Sequence, residues 1–140
     1  MNNAVITITS VRKDGDDVDT TQIVTEGGYT YLCNGCELTY TETDATGFEG
    51  SSTVVRIENG QRLEMQRSGT ANTELLVETG KKNYCMYGTP FGDLTIGVLG
   101  KSVSADIDEN GGKISVEYVM DMNSCFAGDF SLDIDVKLCS

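Results

Sequence analysis

Apolar and polar residues alternate along most of this chain. Across residues 129–138, Phe130, Leu132, Ile134, Val136 and Leu138 are separated by Ser131, Asp133, Asp135 and Lys137. A period of two held this long predicts a strand with one buried and one wet face. Ile114, Val116, Tyr118 and Met120 repeat the pattern against Ser115, Glu117 and Asp121. Val103, Ala105 and Ile107 alternate with Ser102, Ser104, Asp106 and Asp108, and Leu94, Ile96 and Val98 do likewise, with Gly97 offering a place to bend. In the first half the same reading predicts strands over residues 4–11, 21–32, 37–43, 52–58, 62–68 and 73–79. No stretch joins a period of 3.6 to a capping signal.

The joints carry hairpin chemistry. Asp14-Gly15, Asn34-Gly35, Asn59-Gly60 and Asn110-Gly111 are all preferred turn dipeptides. Thr89-Pro90-Phe91-Gly92 reads as a turn into the Leu94 strand, with Pro fixing φ and Gly allowing the return. Sixteen glycines and one proline suit a strongly curved sheet. Roughly eight to ten consecutive strands on such joints would leave aggregation-prone edges unless the sheet closes, and about eight suffice to enclose a core or one small ligand. The expectation is an all-β fold: a single antiparallel meandering barrel of about 8–10 strands, one domain over residues 1–140. A two-sheet sandwich is the alternative, made less attractive in its antibody-like form by the absence of Trp and of a paired-cysteine framework.

Composition narrows function mainly by exclusion. Ten basic against 22 acidic residues give a net charge of −12, shared equally between the halves, which repels nucleic acid and anionic membrane surfaces. Without histidine there is no Ser-His-Asp or Cys-His pair and no His-ligated metal. The N-terminus alternates and lacks a basic n-region, so it does not read as a signal peptide, and no window is long and apolar enough for a membrane helix. Five cysteines, an odd and sparse set, point to a cytoplasmic protein with reduced thiols.

The order of hairpins, the Met65-Gln66-Arg67-Ser68-Gly69 and Thr89-Pro90-Phe91-Gly92 segments, and the closing strands through Tyr118 and Leu132 resemble the bacterial YwiB-like family of uncharacterised proteins. The resemblance covers nearly the whole chain. It implies a lipocalin-like (calycin) β-barrel in a cytoplasmic protein and brings no established activity. The cysteine content, Cys33 and Cys36 in particular, departs from the family's pattern.

Two motifs invite metal or redox readings and lose them on local structure. Asp106-x-Asp108-x-Asn110-Gly111, with Glu117, matches an EF-hand loop in spacing. Its flanks alternate as strands, Lys113 stands where an apolar residue belongs, and a turn at Asn110-Gly111 carries Glu117 away up the returning strand. An acidic solvated hairpin is the better reading, as it is for Asp14-Gly15-Asp16-Asp17, and no metal site is assigned. Cys33-Asn34-Gly35-Cys36 resembles a redox pair, but a turn at Asn34-Gly35 would oppose the cysteines as a hydrogen-bonded pair with Cα atoms about 5.5 Å apart and Cβ atoms too wide for a relaxed disulfide. Two free thiols are expected, and no second CxxC completes a zinc site.

Arg67 is the most informative residue. It shares a face with Leu63 and Met65, so if these face the lumen the guanidinium does too, where it needs an ion pair or an anionic ligand. Arg56 has no clear direction, since it shares a face with Val54 and opposes Val55 and Ile57. Tyr118 sits on the apolar face of its strand, and Tyr29 and Tyr31 share a face of theirs. Arg67, Tyr118, Tyr29, Tyr31 and Met65 are therefore the candidate lumen residues for a ligand. The expected function is a non-enzymatic module binding a small, partly apolar, anionic molecule. The alternative is an interaction barrel filled by its own side chains. No catalytic residue, cofactor, nucleic-acid partner or membrane partner is assigned, and a homodimer is compatible with the sequence.

Overall fold

The structure is a computed structural model that describes residues 2–41, 51–58, 61–69, 72–89, 92–122 and 125–139, without side chains at 87–89, 92–94, 122 and 125–127. Ten strands follow one another: β1 (Asn2–Asp14), β2 (Asp17–Leu32), β3 (Gly35–Thr41), β4 (Ser52–Glu58), β5 (Arg62–Ser68), β6 (Thr73–Glu78), β7 (Lys82–Thr89), β8 (Gly92–Asp108), β9 (Gly111–Met122) and β10 (Cys125–Leu138). Each pairs antiparallel with the next, and β1 pairs with β10 from Ala4↔Leu138 to Lys13↔Asp129, closing a meandering barrel. The expected architecture is the observed one. Among the described residues no helix is long and apolar enough to cross a membrane.

Alternation drives the closure. Ile6, Leu38, Val55, Leu63, Val77, Val98, Ile114 and Ile134 come from eight strands and are all essentially inaccessible, packed into one core. Burying such side chains stabilises by about 1.5–3 kcal/mol each before conformational entropy is charged. The polar alternates face out and pair across strands: Arg56 Nε donates to Glu37 Oε2 at 2.9 Å, and Lys82 Nζ lies 2.7 Å from Asp121. That assigns Arg56 to the outer face. Such exposed pairs add little stability each.

Three expectations change. The Leu94 and Val103 segments belong to one strand, β8, whose pairing with β9 slips between Gly100 and Ser102. The extra residue flips the phase, so Ile96 and Val98 point inward before it and Val103 after it. The strand β7 was not predicted, because its outer positions are Tyr84, 72% exposed, and Met86, which blur the contrast with inward Cys85. Finally, the turns fall one residue away from the dipeptides. Leu32 pairs with Gly35 and Asp108 with Gly111, so Cys33-Asn34 and Glu109-Asn110 make the turns.

The register of β3 explains the shift. Cys36, Leu38 and Tyr40 must share the inner face, and a one-residue slip would turn all three outward. Gly35 is then part of the strand, where a Cβ would fall on the Ile57 carbonyl oxygen. The cysteines are consequently not opposed: Cys33 is exposed in the turn, while Cys36 is buried in the lumen opposite Tyr31. Both are free thiols. In the other hairpin Asp108 Oδ1 accepts from Asn110 N at 2.7 Å, and Glu117 lies far up β9 opposite Ser102. The Pro90-Phe91 and Asn59-Gly60 turns and residues 42–43 lie outside the described residues.

Candidate functional site

Following each inner row along the barrel shows where it stops being filled. In β1 the row runs Ala4, Ile6, Ile8, Ser10; in β4, Ile57, Val55, Thr53; in β5, Leu63, Met65, Arg67; in β6, Val77, Leu75, Thr73. Each of these four rows passes from apolar residues to short polar, flexible or charged ones toward the end that carries the β1–β2 and β5–β6 connections. Short side chains cannot reach the barrel axis, so a cavity of about 250 Å³ remains there. Its volume is just under the roughly 300–1,000 Å³ usual for drug-sized ligands.

One wall is apolar. Ile8, Ile96, Leu132 and Met120 line it, together with Tyr118 and Phe130, which are register partners on β9 and β10 with rings stacked 5.3 Å apart at 7°. The facing wall, from β3 to β6, carries Tyr40, Met65, Arg67 and Thr73. Arg67 pairs with Thr53 on one side and Thr73 on the other, so three polar side chains stand in a row across three strands. Thr73 is 6% exposed, and its Oγ1 has no hydrogen-bond partner among the described residues. A buried hydroxyl without a partner loses on the order of 1–3 kcal/mol, which a ligand oxygen would restore.

The candidates divide accordingly. Arg67, Met65 and Tyr118 meet at this cavity. Tyr29 and Tyr31 do not. Their row leaves the cavity end at Thr21 and Ile23, passes Gly27, and reaches Tyr29 at the opposite end of the barrel. There Tyr29 is fully buried and its hydroxyl donates to the Asp108 carbonyl at 2.8 Å, closing that end. Tyr31 lies beyond it, 45% exposed. A shared face was correctly read, but position along the barrel axis separates the residues. Tyr29→Phe should cost about 1 kcal/mol in urea denaturation, since it removes the donor from a single partly buried carbonyl. Thr73 and Thr53 were not foreseen, and Tyr40 and Phe130 were not among the candidate ligand residues. The signal available was the apolar-to-polar gradient along several inner rows, visible only when all are aligned at one end.

The family model described as Domain of unknown function (DUF1934) matches residues 6–134, nearly the whole barrel. The chain belongs to this family. The YwiB-like resemblance is borne out by a curated relative, the Uncharacterized beta-barrel protein YwiB of Bacillus subtilis (strain 168). It is 31% identical over 113 residues, covering 81% of this chain and 78% of that protein. The crystal structure of ywiB protein from Bacillus subtilis matches with a TM-score of 0.85 at 24% identity, covering 99% of this chain and 93% of that one. The barrel is thus a fold that this chain shares with YwiB.

Proposed function

We propose that the protein is a cytoplasmic, non-enzymatic module that binds a small, partly apolar, anionic molecule at one end of the barrel. The observation that carries this reading is the cavity itself, apolar on one wall and bearing on the other Arg67 beside the Thr73 hydroxyl, which has no hydrogen-bond partner among the described residues. A guanidinium gives a planar fork for an anion, and apolar walls supply the contact area. Free thiols at Cys33, Cys36, Cys85 and Cys139 suit a reducing compartment, and the ion-paired outer face suits water on that side.

Native mass spectrometry of the purified protein should show a mass released on denaturation. A thermal-shift screen over carboxylates, nucleotides and small phosphates should give at least one rise of several degrees. A ligand at about 100 times its Kd stabilises by about 2.7 kcal/mol. A second reading, an interaction barrel, is favoured by the filled far half and by Tyr84, Met86 and Leu99 exposed on the outside of β7 and β8. No bound mass and no shift in the whole screen would establish that reading instead.

A further inference from the structure

We infer that the cavity takes an aromatic monocarboxylate, its carboxylate held by Arg67 and Thr73 and its ring laid against Tyr118 and Phe130. This rests on the cavity being a binding site, as proposed above, and names the chemistry of its occupant.

The polar end is sized for one small anion. Arg67 and Thr73 are direct register partners on β5 and β6, so their Cβ atoms stand about 4.5–5.5 Å apart on one face. A guanidinium fork and a hydroxyl at that spacing can meet the two oxygens of one carboxylate. Thr73 Oγ1 is buried and lacks a partner among the described residues, so an acceptor oxygen there would receive its hydrogen bond. A dianionic phosphate fits less well. One guanidinium balances at most one charge, so the second gains nothing from it against apolar walls, and the chain's net charge of −12 adds to its cost.

The apolar end favours a ring over an alkyl chain. Tyr118 and Phe130 already stack on the wall facing Arg67, and both line the cavity. A third ring can extend that stack or meet it edge-on. Met65 and Met120 bring thioethers to the same space, which pack favourably on ring edges and adjust to their outline. Volume sets the length: a cavity of about 150 Å³ holds benzene, so about 250 Å³ holds roughly ten non-hydrogen atoms. That is one ring and a short acid-bearing chain.

The test is calorimetric titration of the wild-type protein with four probes: 3-phenylpropionate, 3-phenylpropanol, phenyl phosphate and octanoate. The expected result is that 3-phenylpropionate binds at least about ten-fold more tightly than each of the others, the order of effect of one charge-assisted hydrogen-bond pair. Arg67→Gln should bring the acid and the alcohol to within about two-fold by weakening the acid far more than the alcohol. Thr73→Val, a near-isosteric change, should weaken the acid several-fold and the alcohol little. Should Arg67→Gln fail to fold, the wild-type series and Thr73→Val still decide the matter. Equal binding of acid and alcohol, or tighter binding of octanoate or phenyl phosphate, would overturn this assignment while leaving the cavity a binding site. Failure of all four probes would overturn this occupant class, while the mass and thermal-shift measurements described above decide separately whether the cavity binds at all.

Discussion

Gly112→Val is expected to destabilise the barrel by more than about 3 kcal/mol and to abolish accumulation of folded protein at 37 °C or so. Gly112 holds φ at +143°, a backbone conformation that costs a β-branched residue roughly 1–3 kcal/mol by itself. A Cβ there would also meet the Asp106 carbonyl oxygen and the Ile107 backbone, which cannot give way without breaking the β8–β9 ladder. That hairpin presents the Asp108 carbonyl to the Tyr29 hydroxyl, so the damage should reach the closed end of the barrel. Urea denaturation checks it, with Gly112→Ala falling between parent and valine. A Gly112→Val protein within about 0.5 kcal/mol of the parent would mean the strands are not packed this closely.

Stability is also expected to fall steeply in alkali, by on the order of 2 kcal/mol between about pH 9 and pH 11. Cys36 is wholly inaccessible, and burial pushes its thiol from 9.0 up to about 11. Burial raises Tyr29 as well, with Cys36 and Asp108 adding to the effect. The sign follows from proton counting. In this window the unfolded chain has released its thiol proton while the folded protein keeps it, so the folded state binds more protons and loses stability as pH rises. Below about pH 8.5 the contribution is fully present. Urea midpoints measured across the window should drop for the parent and drop less for Cys36→Ala, which itself costs a little at neutral pH through lost volume. Equal slopes for the two proteins would show that Cys36 reaches solvent.

Closure of the sheet was legible because each strand carries its own evidence. A residue in β10 such as Ile134 is flanked by Asp133 and Asp135, and that contrast survives in any context. Legibility failed where the outer face is not polar, as with Tyr84 and Met86 on β7, and where one inserted residue reversed the phase, as at Gly100–Ser102 in β8. It failed again at the turns. A dipeptide preference is worth far less than burial of a whole strand face, so the inward row of Cys36, Leu38 and Tyr40 decided the register and moved the turn to Cys33-Asn34. The opposed-cysteine geometry expected there fell with it.

From the amino-acid order alone came most of the strands, most of the hairpin succession, the face that Arg67 shares with Met65 and Leu63, and the exclusion of histidine chemistry. These are local properties, written in residues one or two apart. Which inward residues share a space is not local. Arg67 and Thr73 become neighbours only when β5 and β6 pair, and Tyr118 faces them only when ten strands curl round. Tyr29, equally inward, ends at the opposite mouth because depth along the axis depends on register summed around the whole wall. Alternation reports in or out; only the closed barrel reports top or bottom.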